Sequence, residues 1–234
     1  MSRRLVLFDI DETMIKSDGA GRRAIVRALS QVFGITCDTT GVAMSGKTDP
    51  QICREILCEA GLPCCDLESG LEQVFEVYPP MLAEEIDRSA GYRLHEGVSE
   101  LIDALLSVSS ACLGLVTGNI EPAARLKLAP FDLNRHFPVG AFGSDSADRM
   151  DLPPIARNRA AAHYKADFSP DEVIVIGDSV ADVRCAAGYG ALSIAVASGK
   201  TPRADLAACQ PHFLVDSLQD TQAVLDAIFS TRTA

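Results

Sequence analysis

Six short apolar runs recur along the chain, at residues 5–8, 111–116, 139–142, 172–176, 191–197 and 212–215, each closed by polar or turn residues. Several are apolar at nearly every position. That pattern belongs to strands covered on both faces of a parallel sheet, since a half-exposed strand would alternate. Helical spacing fills the intervals. Residues 97–107 put Val98, Leu101, Ile102, Leu105 and Leu106 on one face. Residues 153–164 begin with Pro-Pro, which suits a helix start, and residues 218–229 space Leu218, Val224, Leu225 and Ile228 helically. From about residue 111 the alternation of strand and helix predicts an α/β fold with a doubly wound parallel sheet.

Residues 17–92 break the alternation. They contain three helical patterns, at 19–33, 50–60 and 67–87, and no convincing strand. Pro79-Pro80 is expected to kink the third helix. A small helical bundle is therefore expected to be inserted after the first strand. Residues 1–16 and 93–234 would form the core and residues 17–92 the insert, with hinges near 17–21 and 90–93.

Composition narrows the classes. The 234 residues hold 21 Lys and Arg against 32 Asp and Glu, a net charge of −11, and 47% are hydrophobic. A core of that size needs no disulfides, and hydrophobicity at this level excludes a disordered chain. The negative charge opposes nucleic-acid binding. No run of about 18 apolar residues suggests a membrane span, and the apolar stretch before Asp9 is too short for a signal-peptide core. The eight cysteines form no CxxC pair, and Cys64 and Cys65 are adjacent. Reduced thiols acting as small hydrophobes, and hence a cytoplasmic protein, are expected. The four histidines have no metal-ligand spacing.

Candidate chemistry lies at the strand ends. Asp9-Ile10-Asp11-Glu12-Thr13 follows the first strand, Thr117-Gly118-Asn119 follows residues 111–116, and Gly177-Asp178-Ser179-Val180-Ala181-Asp182 follows residues 172–176. In an open α/β sheet the carboxyl ends of the strands face the ligand crevice. Any one of these segments could be a helix cap or a turn. Together they place acids, a hydroxyl and backbone N–H groups on one rim, a chemistry for hard cations and phosphate.

With these segments the chain resembles the haloacid dehalogenase (HAD) superfamily over nearly its whole length. DIDET is similar to that family's first motif, LVTGN to its second and VIGDSVAD to its fourth. The helical insert resembles the C1 cap of members such as phosphoglycolate phosphatase and β-phosphoglucomutase. Glu12 is a departure, standing where cap-bearing members usually have Gly. The third motif, a Lys or Arg, falls nearest Arg149, with Arg157, Arg159 and Lys165 as alternatives.

The resemblance implies phosphoryl transfer on a small phosphorylated metabolite, with Asp9 as nucleophile and Asp11 as acid and base. Mg²⁺ would be held by Asp9, the Asp11 backbone carbonyl and Asp178, with Asp182 behind. Thr117 and Gly118, beside Asn119, would grip phosphoryl oxygens, and Arg149 would oppose their charge. Asp11 itself favours ester chemistry over dehalogenation, because halide leaves without a proton. A sugar-phosphate mutase on the same scaffold is the alternative. A phospho-aspartate switch is disfavoured by length and by the acid two residues after Asp9. Residues 41–48 also match the P-loop pattern GxxxxGK[ST], but the polar stretch before them does not suit the buried strand a P-loop needs. A cap loop bringing Lys47 over the site is the preferred reading, with Arg22 and Arg23 as weaker candidates. The sequence leaves the oligomeric state open.

Overall fold

The computed structural model describes residues 3–62 and 67–229. In chain order it has β1 (Arg4–Phe8), β2 (Ile15–Lys16), α1 (Ala20–Phe33), α2 (Asp49–Glu59), α3 (Glu68–Arg88), β3 (Arg93–Leu94), α4 (Val98–Leu106), β4 (Ala111–Val116), α5 (Glu121–Leu128), β5 (Gly140–Ala141), α6 (Leu152–Tyr164), β6 (Val173–Gly177), α7 (Val180–Tyr189), β7 (Leu192–Val196), α8 (Arg203–Ala208), β8 (Phe213–Val215) and α9 (Thr221–Phe229).

Six strands form one parallel sheet in the order β5-β4-β1-β6-β7-β8. The continuous apolar runs follow from its two covered faces. Along β1, Val6 and Phe8 join a core with α4 and α9 through Leu101, Leu105, Val224 and Ile228. Leu5 and Leu7 join the opposite core with Leu152, Ala156 and Ala160 of α6. Each strand thus spends alternate side chains on two cores, and no polar face remains.

The strand-free interval is helical. α1, α2 and α3 share a core of Ala24, Leu29, Ile52, Ile56, Val74, Tyr78 and Leu82, and that core continues onto α5 through Ile120 and Ala123. The antiparallel pair β2–β3, with Ile15 opposite Leu94, brackets the interval where the chain leaves and re-enters the sheet. α3 runs continuously through Pro79 and Pro80, so the pair does not end the helix. Its buried face, from Leu71 to Ile86, packs on both sides of the prolines and holds the helix together.

The thiol expectation needs a correction. Cys37, Cys53, Cys112, Cys185 and Cys209 are free, but Cys58 is disulfide-bonded. Cys64 and Cys65 lie outside the described residues. No helix among the described residues is long and apolar enough to cross a membrane.

Candidate active site

The sheet order sets the place of the site. From β1 the chain runs outward through β4 and β5, then returns on the other side of β1 and runs outward again through β6, β7 and β8. The connections diverge between β1 and β6, and the crevice at such a switch point is where these sheets bind ligands. Asp9 follows β1, and its N–H bonds Ile176 O at 2.9 Å. Asp178 follows β6 directly, and Asp182 lies in the first turn of α7.

Asp9, Asp178 and Asp182 are buried, and each offers an oxygen within 4.8 Å of the others. Burial, opposed by Arg149 and reinforced by Asp182 and Asp11, pushes Asp9 up to about 7. Burial and the charges of Asp182 and Asp9 push Asp178 up to about 9. Three crowded carboxylates with hard oxygens form a donor set that suits a hard divalent cation. Asp182 owes its orientation to a capping box: its Oδ2 accepts from the Ser179 N–H at 3.0 Å and from the Ser179 hydroxyl at 2.6 Å.

Arg149 is buried in this cluster. Its Nη2 lies 3.0 Å from Asp9 Oδ1 and pairs with Asp182 Oδ1. The alternatives point elsewhere. Arg157 pairs with Asp167, Arg159 with Asp145 at 2.6 Å, and Lys165 is exposed at the end of α6.

Asp11 lies beside the cluster and faces another way. Lys127 Nζ on α5 reaches its two oxygens at 2.8 and 2.6 Å, and Asn119 Nδ2 donates to Oδ2 at 2.8 Å. Burial would raise the Asp11 carboxyl, but Lys127, with further hydrogen bonds, outweighs it and holds the group below its usual range. The Asp11 carboxylate is not part of the three-acid cluster, so any hold it has on a cation would come from its backbone carbonyl. Asn119 ties the arrangement together. Its Oδ1 accepts from Lys127 Nζ at 2.6 Å, and its Nδ2 also donates to Thr117 Oγ1 at 2.8 Å.

Glu12, the departure from the family pattern, has φ 59. That is the left-handed conformation Gly would adopt without a steric cost. The turn is kept by two bonds: Glu12 N–H to Ile15 O at 2.7 Å, and the Ser198 hydroxyl to Glu12 O at 2.6 Å.

The loop before α2 closes the crevice from the insert side. The Asp49 N–H bonds Gly118 O at 2.7 Å, and the Thr48 hydroxyl bonds Ala147 O at 2.8 Å. Residues 34–48 contain no strand, so the P-loop context is missing. Lys47 lines the crevice and is ion-paired with Glu55. Arg22 also lines it, and its Nη1 donates to Thr39 O at 3.0 Å. Arg23 turns away to Glu85 at 2.7 Å. A Cβ on Gly118 would overlap the Lys47 carbonyl oxygen. Gly118→Ala should therefore push the loop off the core. Stability measured by urea unfolding should drop by about 1–3 kcal/mol, and an unchanged midpoint would show that the loop does not need this close approach.

The half-open cavity measures about 330 Å³ and is lined by Asp9, Asp11, Asp178, Thr117, Arg149 and Lys127, with Asp49, Tyr78, Ile25 and Ile52 towards the insert. Sequence reasoning missed Lys127, Asp49 and Tyr78. Lys127 left a signal, since on α5 it shares the buried face with Ala123, Ala124 and Leu128, and a lysine there needs a partner.

Asp49 is buried and accepts from the Ile120 N–H at 2.9 Å. Burial, only partly offset by Lys127 and that N–H, pushes it from 3.8 up to about 6. A raised folded-state value means that the folded chain keeps this proton longer than the unfolded chain does. The associated stability is full below about pH 4 and is lost as pH rises through about 6. Asp49→Asn has no such proton to lose, so the Tm of the variant relative to wild type should rise between pH 4 and 7. A pH-independent difference would contradict the assignment.

Comparison with known proteins finds similarity in part of the sequence and in the fold. A family model described as HAD-hydrolase-like matches residues 152–221. The phosphoglycolate phosphatase of Salmonella choleraesuis (strain SC-B67) is 27% identical over 150 residues, covering 64% of this chain and 56% of that relative. The aligned region thus spans little more than half the length of that relative. A predicted phosphoglycolate phosphatase from Haemophilus somnus 129PT superposes with a TM-score of 0.69 at 18% identity, covering 96% of this chain and 99% of that one. A hydrolase from Pseudomonas syringae superposes with a TM-score of 0.69 at 21% identity, covering 97% of this chain and 100% of that one.

Proposed function

We propose that this chain is a phosphatase of the haloacid dehalogenase superfamily, Mg²⁺-dependent and acting on a small phosphate monoester through an aspartyl-phosphate on Asp9, a reading supported by the family-model match at residues 152–221, by the shared fold and by the acids at the strand ends. The observation that carries the reading is the division of labour between two acids two residues apart. Asp9 faces Arg149 at 3.0 Å within the three-acid cluster, while Asp11 is drawn aside by Lys127 at 2.6 Å. Two carboxylates in such different surroundings are suited to different tasks.

An Asp9 oxygen attacks phosphorus as the bond to the ester oxygen breaks. Asp11 supplies the proton that the departing alkoxide needs. Water then attacks the aspartyl-phosphate, and Asp11 takes its proton back as inorganic phosphate forms. Lys127 keeps Asp11 ionised in the empty site, the form required for the second step. The negative charge of an arriving phosphate favours the protonated form required for the first. Thr117 Oγ1 and the N–H groups around Gly118 line the position for phosphoryl oxygens, and Arg149 opposes their charge. Asp9, Asp178 and Asp182 would hold Mg²⁺, which when bound supplies countercharge to the nucleophile and the phosphoryl group. Residues 17–92 would act as the cap that shields the reaction from bulk water.

The test is phosphate release from a panel of phosphate esters with Mg²⁺ and after chelation. Turnover that needs the cation supports the reading. Isomerised sugar phosphate without phosphate release would favour a mutase, and no reaction with any ester would overturn both.

A further inference from the structure

Glu12 occupies the left-handed region with φ 59, where a glycine would sit without steric cost. The turn itself gives no reason for a carboxylate at this position. The Glu12 side chain is 22% exposed and lines the same crevice as Asp9 and Asp178.

The turn and the three-acid cluster are packed as one unit. The Thr13 hydroxyl, on the next residue, donates to Asp178 Oδ1 at 3.4 Å. The Ser198 hydroxyl donates to Glu12 O at 2.6 Å, and a Cβ on the adjoining Gly199 would overlap Asp178 Oδ2. These contacts fix the Glu12 backbone beside Asp178.

The Glu12 carboxylate acts on the cluster through its charge. Burial foremost, then Asp182, Asp9 and Glu12, raise the Asp178 carboxyl against the pull of Arg149. Little opposes that charge locally. Among the described residues its one ion-pair contact is His95 Nε2, 3.8 Å away and beyond hydrogen-bond distance. Lys47 is held by Glu55, and neither Arg22 nor Lys200, which also line the crevice, pairs with Glu12. Asp11 has its own countercharge in Lys127. The carboxylates of Asp9, Asp178, Asp182 and Glu12 are thus left facing the single guanidinium of Arg149. An excess of negative charge in one crevice favours a cation.

Resting on the cation site of the phosphatase reading above, we propose that Glu12 is a positioning residue for the divalent cation, standing outside the three-acid cluster and strengthening cation binding there by its charge. The three aspartates supply the donor set, and Glu12 supplies the field in which a cation is drawn to it. The side chain accounts for a carboxylate where the backbone would be better served by glycine.

The experiment is calorimetric titration of Mg²⁺ into ligand-free wild type, Glu12→Gln and Glu12→Asp after chelation, with melting of each protein in the absence of cation. Glu12→Gln keeps the shape of the side chain and removes its charge, and its Kd for Mg²⁺ should be weaker by about 10-fold. Glu12→Asp keeps the charge and should stay within about threefold of wild type. The ligand-free Tm of Glu12→Gln should equal or exceed that of wild type, because a repulsion with Asp178 is removed. An unchanged Kd in Glu12→Gln, an equal loss in Glu12→Asp, or a loss accompanied by a lower ligand-free Tm would overturn the role of Glu12. Wild type that binds no Mg²⁺ would instead overturn the cation site on which that role rests.

Discussion

Asp9→Asn is expected to lower kcat for phosphate release by at least about 10⁴-fold while the protein remains folded. The change keeps the side chain's size and removes its charge and nucleophilicity. Arg149 retains Asp182 as its partner, so the guanidinium is not left alone in the interior. Relief of crowding among three buried acids makes the variant at least as thermostable as wild type without Mg²⁺. Quenched reactions on the best ester of the panel should also show no phosphorylated protein. A variant within tenfold of wild type would remove Asp9 from the nucleophile's role and leave the acid cluster as a metal site serving some other attacking group.

Lys127→Met should be the most damaging single change to the fold among those considered. Lys127 is 3% exposed and joins Asp11 and Asn119 in one network, with Asp49 near enough to feel its charge. Lys127 is buried but the Asp11 side chain is one-third exposed (33%), so water compensates part of the charge left behind and the loss is about 2–3 kcal/mol. For a chain of this size that corresponds to a fall in Tm of roughly 4–12 °C. The loss should shrink as pH is lowered, because Asp11 and the buried Asp49 can then take protons and no longer need a countercharge. Parallel melts at pH 5 and pH 8 measure both effects. A variant as stable as wild type at pH 8 would mean that the network is open to water and that Lys127 is a surface charge in effect.

The pair of variants also separates two meanings of a buried charge. Asp9 and its neighbours are kept crowded at some cost to stability, as expected of a site that waits for a cation and a phosphate. Lys127 is satisfied by its own chain, and its value is that it fixes Asp11 in place. Both lie within one crevice, and only the second should register strongly in a melting experiment.

Much of this was legible in the linear chain because it depends on local periodicity. The runs at 5–8, 111–116 and 172–176 are strands β1, β4 and β6, since two covered faces demand apolar residues at both parities. Asp9, Asp11, Thr117 and Asp178 could be named as candidates because each lies within three residues of the end of such a run, and Asp182 because it lies one helical turn beyond. Arg149 could be placed only by its position relative to the α6 start, with three rivals that composition could not separate. The network of Lys127, Asn119 and Asp11 spans 116 positions of sequence, and Tyr78 and Asp49 reach the cavity from α3 and α2.

What the amino-acid order determined alone is therefore the sheet, the helical insert and the row of acids on one rim, because strand covering and chain reversal are short-range consequences of residue type. What only the tertiary structure decided is which charges meet: Arg149 with Asp9 and Asp182, and Lys127 with Asp11. Those pairings are fixed by the packing of α5 and of the turn before α6 beside the crevice, and no local pattern carries the distance between two side chains on different elements.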